Sequence, residues 1–188
     1  MFDYGSGVDG RIYTLTTSGG NPAAVSVGDC QEAMPSLNPA DSTVVFAHRI
    51  PSQLATRTGA VKQTLTTPGR GDSWPQWSPD GTAIAACDGN TDRTRTDLGH
   101  DLLRINPATG FRTPLTQLAE PGDGFPCGGV WSLNSLWVYA AGTVDGIQAV
   151  WRVPITGGTP QRVPVESPFD PAPGSSTAPI VFVGGVVP

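Results

Sequence analysis

The chain has 188 residues, of which 24 are glycine and 19 are proline. This combined share is about twice that of an average protein, and each glycine in a helix interior costs about 1 kcal/mol and each proline about 3 kcal/mol. The composition therefore disfavours helix bundles, coiled coils and doubly wound α/β folds. A hydrophobic fraction of 38% is enough to build a core, so we expect a β-rich protein with many turns.

The charge is acidic overall, with a formal net charge of −5 from 11 basic and 16 acidic residues. Lys62 is the single lysine, and Arg93 and Arg95 stand beside Asp92 and Asp97 rather than in a basic cluster. A nucleic-acid binder needs a basic face to neutralise phosphates, and an anionic membrane surface needs the same. The sequence therefore predicts neither nucleic acid nor a membrane surface as a partner.

No targeting or membrane-spanning segment is visible in the sequence. The longest apolar run, residues 178–188, is too short to span a bilayer and contains two glycines. Residues 1–4 lack the basic start and apolar core of a signal peptide. Export stays open, because a mature or truncated chain would begin in the same way.

Two short patterns alternate along the chain. One is a strand, a glycine turn and a second strand, as in Ile12–Leu15, the Gly19-Gly20 pair and Val25. The other is a tight turn followed by an apolar strand, as in Ser78-Pro79-Asp80-Gly81 and the residues after it. In chain order the copies occupy residues 12–25, 35–46, 52–66, 75–86, 102–116, 130–140, 150–163 and 175–182.

The spacing of the copies predicts a β-propeller. Leu37 and Trp77 are 40 residues apart, and Trp77 and Trp131 are 54 apart because of extra loops at 90–99 and 117–126. Four short strands in about 40–45 residues are typical of one propeller blade. A single four-stranded sheet cannot bury both of its faces, so neighbouring blades must stack. We therefore expect an all-β propeller of about four four-stranded antiparallel blades.

Residues 74–86 resemble the TolB-type propeller repeat, a Pro-x-Trp-Ser-Pro-Asp-Gly family related to WD-repeat propellers. Trp131-Ser132 and Asn38-Pro39 are partial copies, and residues 101–106 resemble the strand that follows the hairpin in that family. Leu133 and Asn134 replace the Pro-Asp pair of the motif.

The resemblance implies that the hairpin of each unit supplies the two inner strands of a blade and that the other two strands are outer. Residues 1–188 would form one propeller domain or partial propeller. Phe2 would lie in a second strand, and residues 180–182 in another, so the chain would start and stop within blades. Because propellers of this family usually have six or more blades, we expect a larger ring completed by missing sequence or by other chains. A closed four-bladed ring is the alternative.

The three cysteines, Cys30, Cys87 and Cys127, fit no metal-binding spacing. An odd number allows at most one internal disulfide and leaves the redox compartment open. The blade order implied by the resemblance brings all three to one face. A Cys87–Cys127 or a Cys30–Cys87 disulfide would then join neighbouring blades, and the alternative is that Cys87 is a small buried apolar residue.

The same face gains the two inserted loops, residues 87–99 and 117–127, and loops on a rigid scaffold commonly carry function. We expect this face to be the binding surface. The candidate binding residues are Trp74, Asp88, Asp92, Arg93, Arg95, His100, Glu120, Asp123 and Phe125.

Catalytic and metal-binding patterns are not found in the sequence. His48 and His100 are the two histidines, and neither belongs to a recognisable Ser-His-Asp or Cys-His set. A G-x-S-x-G nucleophile motif is absent, and the acidic loops lack the D-x-D-x-D-G spacing of a calcium loop. We therefore predict no catalytic residues, no metal and no cofactor. We expect Trp77 and Trp131 to pack between blades. We expect Asp80 to stabilise the tight turn in which it lies.

These observations favour a non-enzymatic propeller that binds proteins or acts as a scaffold. The resemblance implies a periplasmic, cell-envelope or secreted protein that contacts other proteins. One alternative is the accessory propeller of a prolyl-oligopeptidase-type hydrolase, whose catalytic domain would lie outside this chain. Another is a carbohydrate-binding propeller.

Overall fold

The computed structural model describes residues 2–4, 11–16, 18–26, 31–49, 52–89, 100–118, 120, 122–125 and 129–164, which form fifteen strands and no helix. Within these residues, no helix is present that could cross a membrane.

The strands form four sheets in chain order. Sheet 1 contains β1 (Phe2–Tyr4), β2 (Arg11–Thr14) and β3 (Ala23–Ala24); sheet 2 contains β4 (Glu32–Leu37), β5 (Val44–His48), β6 (Gln53–Thr58) and β7 (Val61–Thr64). Sheet 3 contains β8 (Ser73–Trp77), β9 (Ile84–Cys87), β10 (Leu102–Ile105) and β11 (Arg112–Pro114); sheet 4 contains β12 (Val130–Trp131), β13 (Trp137–Val144), β14 (Ile147–Pro154) and β15 (Gln161–Arg162).

Each sheet is an antiparallel meander in which neighbours in sequence are neighbours in space. Sheets 2, 3 and 4 have the predicted four strands, and sheet 1 has three. The predicted all-β architecture of four-stranded antiparallel blades is confirmed. The two strands of each predicted hairpin are the first two strands of sheets 2, 3 and 4.

Three separate hydrophobic clusters lie between consecutive sheets. Along β5, Val44 and Phe46 belong to the cluster shared with sheet 1, whereas Val45 and Ala47 belong to the one shared with sheet 3. All five residues of β5 are buried, as expected for a strand that is covered on both faces. The third cluster, between sheets 3 and 4, includes Leu102, Phe125, Val138, Trp151 and Val153.

The first strands of adjacent sheets are joined side by side. The Trp77 backbone N–H of β8 donates to Ser36 Oγ of β4 over 2.9 Å. The Trp131 indole N–H of β12 donates to the Gln76 carbonyl oxygen of β8 over 2.9 Å. Trp77 and Trp131 are each 8% exposed, so both pack between sheets as predicted.

The turn between β8 and β9 is organised around Asp80. The hydroxyls of Ser78 and Thr82 donate to Asp80 Oδ1 over 2.6 and 2.9 Å, and the Thr82 backbone N–H donates over 3.0 Å. Gly81 has a φ of 70°, which glycine adopts without steric cost. Sheet 4 builds the same turn with Asn134, whose Oδ1 accepts the Ser132 hydroxyl over 2.7 Å.

In three sheets, a hydroxyl group just after the last strand accepts a hydrogen bond at an equivalent position. In each case it accepts the backbone N–H of a buried apolar residue at or near the start of the strand that precedes the last strand of the sheet. The pairs are Ile12 with Ser26 Oγ at 2.7 Å, Leu54 with Thr66 Oγ1 at 2.9 Å and Leu102 with Thr116 Oγ1 at 2.9 Å.

Candidate functional site at the upper face

We call the upper face the edge of the sheets at which the first strands of the repeats begin. In sheet 3 this edge is marked by Ser73 paired with Cys87, and by Cys87 paired with Leu102. Of the predicted binding residues, Trp74, Asp88 and His100 lie at or next to this edge. Asp92, Arg93 and Arg95 lie outside the described residues.

Trp74 is held in an unusual backbone conformation. Its φ is 53°, and the register of β8 against β9 shifts between Ser73 and Gln76. A left-handed conformation costs a non-glycine residue about 1–2 kcal/mol, and such strain is concentrated at functional sites. The Trp74 side chain is 43% exposed. A large aromatic side chain is therefore presented to solvent by a β-bulge of a rigid sheet.

Met34 occupies the equivalent position in sheet 2, with a φ of 55° and a register shift between Ala33 and Ser36. Met34 is partly buried against the cluster between sheets 2 and 3. The bulge is therefore a feature of the repeat. Trp74 differs from Met34 because the Trp74 side chain is largely exposed to solvent.

An ion-pair group joins the inner and outer strands of sheet 3 beside this bulge. Arg112 Nη2 donates to Asp72 Oδ1 over 2.6 Å and to Asp88 Oδ1 over 2.7 Å. The Asp72 side chain is completely buried, whereas that of Asp88 is 26% exposed. The guanidinium compensates the buried carboxylate and also fixes Asp88, which presents a carboxylate at the upper face.

The corresponding acid in sheet 2 is Glu32, which is 40 residues before Asp72. Glu32 Oε1 accepts from Arg57 over 2.6 Å, and Oε2 accepts the Ser26 hydroxyl over 2.6 Å. Asp72 Oδ2 has no hydrogen-bond partner among the described residues. The aspartate side chain is one methylene shorter, so it extends less far toward the preceding sheet than Glu32 does.

Asp123 and Phe125 have internal roles in the structure. Asp123 is 2% exposed, and its carboxylate accepts the backbone N–H groups of Asp145 and Gly146 over 2.7 and 3.0 Å. It therefore caps the turn between β13 and β14. Phe125 is completely buried in the cluster between sheets 3 and 4, and Glu120 is exposed.

His100 and Phe125 are joined by two backbone hydrogen bonds, and Gly124 and Thr143 by two more. This ladder fixes Gly124 and Phe125 between sheets 3 and 4. His100 is half-buried, and its Nδ1 has no hydrogen-bond partner in the described part of the chain. His48 is 5% exposed at the end of β5. Among the described residues, no group of three or more His, Cys, Asp and Glu side chains is arranged to hold a metal ion.

The cysteine arrangement stays a prediction. Cys87 is completely buried at the end of β9, while Cys30 and Cys127 lie outside the described residues.

The sequence interpretation missed Glu32, Asp72 and Arg112. The acids could have been found from their 40-residue spacing, because Glu32 begins β4 and Asp72 immediately precedes β8. Their basic partners could not have been found in this way, because each basic residue lies on a strand that is not a neighbour of the strand nearest its acid.

The stacked sheets and adjoining first strands define a β-propeller fold, and the described residues form four successive blades of it. The fold is similar to that of a TolB from Acinetobacter baumannii, with a TM-score of 0.66 and 14% identity, covering 85% of this chain and 39% of that chain. It is also similar to a protein described as a TolB from Agrobacterium tumefaciens, with a TM-score of 0.63 and 20% identity, covering 84% and 56%.

A third similar structure is an oligogalacturonate lyase from Vibrio parahaemolyticus, with a TM-score of 0.56 and 17% identity, covering 81% of this chain and 42% of that chain. By sequence, an uncharacterized protein of Agrobacterium fabrum is 30% identical over 112 residues, or 58% of this chain and 35% of the relative. No protein-family model matches the chain. The fold is therefore TolB-like, and the chain spans about a third to a half of the length of these proteins.

Proposed function

We propose that this chain is a non-enzymatic binding propeller whose upper face at sheet 3 contacts another protein. The observation that carries the proposal is the exposed Trp74, held by a left-handed bulge next to the upper end of β9. Tryptophan is enriched among the residues that dominate binding energy at protein interfaces. Asp88, fixed by Arg112, adds an oriented carboxylate near the same edge.

We also propose a location outside the cytoplasm and a ring larger than four blades. The TolB-type repeat supports the location. The ring size is supported by the extent of the similar structures, of which this chain covers 39% and 56%. Small-angle scattering of the full-length protein that showed a compact ring of four blades would contradict the larger ring.

Site-specific photocrosslinking tests the proposed binding surface. A benzophenone amino acid is placed at Trp74 in the full-length protein in cells, and at Phe111 in a matched variant. Phe111 is 69% exposed and lies outside the upper face. We expect a protein adduct of discrete mass from position 74, found in the envelope fraction, and none from position 111. Equal labelling at both positions, or none at 74, would contradict the proposal.

Asp88→Arg in the position-74 crosslinking variant tests the contribution of charge. We expect this reversal to reduce the adduct, because it places two guanidinium groups next to each other and removes the carboxylate. Unchanged adduct formation would exclude Asp88 from the contact while leaving Trp74 in it.

A second candidate function is binding of an oligosaccharide. An exposed tryptophan near a fixed carboxylate favours it, and one protein of similar fold is an oligogalacturonate lyase. A glycan array followed by titration of tryptophan fluorescence in wild type and Trp74→Phe tests it. Absence of any glycan that binds would exclude this candidate. The accessory-propeller alternative would require an α/β-hydrolase domain in the full reading frame.

A further inference from the structure

Arg70 lies in the segment between β7 and β8, four residues before Trp74. Because β8 begins at the upper face, Arg70 belongs to that face. An extended chain rises by about 3.5 Å per residue, so the α-carbons of Arg70 and Trp74 are at most about 14 Å apart. One short segment of a partner can therefore contact both residues.

The backbone is held in place on both sides of Arg70. The Gly69 N–H donates to the Ser52 carbonyl oxygen over 2.8 Å. Gly71 has a φ of 76° and lies directly against Gly89, where an added Cβ would collide with the Gly71 backbone. The position from which the Arg70 side chain projects is therefore set before any partner binds.

The Arg70 side chain is half-buried and has no counter-charge. Its Nε–H is enclosed and has no hydrogen-bond partner among the described residues, whereas its terminal nitrogens Nη1 and Nη2 keep access to solvent. The neighbouring carboxylates of Asp72 and Asp88 are both bound by Arg112, over 2.6 and 2.7 Å. Within the described part of this face, no carboxylate pairs with Arg70.

Arg104 shows why this arrangement differs from an ordinary surface arginine. Arg104 is exposed on β10, so water hydrates its charge and a protein partner would add little. Arg70 has part of its guanidinium withdrawn from water without compensation, which is unfavourable. An anionic group that reached Nη1 and Nη2 from outside would remove this deficit.

We propose that the protein contacting Trp74 presents an aspartate or glutamate side chain to Arg70. This inference rests on the proposed function and adds the chemistry of the partner. The carboxylate accepts from Nη1 and Nη2 as a bidentate pair, while an apolar side chain close to it in the partner sequence packs on Trp74. Asp88 does not take the place of this carboxylate, because Arg112 holds it.

Photocrosslinking from position 74 of the full-length protein in cells tests the proposal, in the backgrounds Arg70→Gln, Arg70→Lys and Arg104→Gln. We expect Arg70→Gln to reduce the adduct at least about fivefold, because it removes a charge-assisted pair. Arg70→Lys should reduce it less, because lysine keeps the charge but lacks the planar fork. Arg104→Gln, the matched control, should leave the adduct unchanged.

Mass spectrometry of the adduct identifies the partner segment. We expect an aspartate or glutamate within about five residues of the crosslinked position, the distance set by the reach of the chain. Changing that acid to arginine should restore the adduct when it is combined with Arg70→Glu. A crosslinked segment without an acid, or a conjugate that contains sugar and no peptide, would overturn the proposal.

Urea denaturation separates a binding role of Arg70 from a structural one. Because no described residue accepts a hydrogen bond from Arg70, Arg70→Gln should be at least as stable as wild type. A less stable Arg70→Gln, or adduct yields equal to those of Arg104→Gln, would overturn the inference. An adduct that persisted in Arg70→Gln would leave the proposed function intact, whereas no adduct from position 74 in the parent variant would contradict both.

Discussion

The indole N–H of Trp131 donates to the backbone carbonyl oxygen of Gln76 over 2.9 Å, joining the first strands of sheets 3 and 4. Trp77 occupies the equivalent position in sheet 3 and is equally buried, but its indole N–H has no hydrogen-bond partner among the described residues. Two repeats therefore use the same residue with different hydrogen bonding, which provides a matched pair for experiment.

We expect Trp131→Phe to destabilise the protein by about 1 kcal/mol more than Trp77→Phe, because only the first replacement removes a hydrogen bond. The loss of apolar area is the same in both variants, so the difference isolates the bond. Urea denaturation of both variants measures it. Equal midpoints with equal slopes would show that the Trp131 bond contributes nothing to stability.

The hydroxyl of Thr116 should be a second stabilising group. It accepts the Leu102 N–H over 2.9 Å and donates to Asp101 Oδ1 over 2.7 Å. Thr116→Val leaves a buried N–H without its acceptor, which costs about 1–3 kcal/mol, whereas Thr116→Ser keeps the hydroxyl. Thermal and urea denaturation of both variants is the measurement. If the serine variant lost as much stability as the valine variant, the methyl group rather than the hydroxyl would matter.

The Asp80 turn should make part of the stability depend on pH. The hydrogen bond from Ser78, together with those from Thr82, holds the pKa of Asp80 below its ordinary value of 3.8. The ionised carboxylate therefore stabilises the fold above that pH, and this contribution is lost as the pH falls through the lowered pKa of the folded state.

Asp80→Asn should consequently be less stable than wild type near neutral pH, and the difference should shrink below about pH 4 as the wild-type carboxylate is protonated. Asparagine can occupy this turn, as Asn134 does in sheet 4. Unfolding free energies measured from about pH 6 to about pH 3 test this. A difference that stayed constant over that range would show that ionisation of Asp80 plays no part.

Trp74 should contribute to binding at the expense of stability. Because its φ is 53°, Trp74→Gly relieves the left-handed strain, and we expect it to be about 1 kcal/mol more stable than Trp74→Ala. Both variants should lose the proposed interaction. Denaturation curves measure the first effect, and competition with the position-74 crosslinking variant measures the second. An alanine variant as stable as the glycine variant would mean that the bulge is unstrained.

The sequence predicted the four sheets because the signals for them are local. The alternation of apolar residues and the chemistry of the Ser78–Gly81 turn are contained in a few residues each. The Ser26, Thr66 and Thr116 hydroxyl positions were also visible, as Val-Ser or Leu-Thr pairs at the end of three repeats. Their function was not predictable, since it depends on the register of the last two strands.

The upper face was less predictable because its contacts are distant in sequence. Asp123 was expected at a binding surface, but it caps the turn of a hairpin whose two strands have eight residues each. The length of that hairpin was not evident from the sequence. The ion pairs of Arg112 connect positions 40 and 24 residues apart, which no periodic pattern specifies.

The three separate hydrophobic clusters have an evolutionary consequence. Each sheet makes contacts with its immediate neighbours rather than with a common centre, so duplication or loss of one complete unit creates only one new junction. Genes encoding such proteins can therefore diverge in the number of units, while the residues at each remaining junction stay under the same selection.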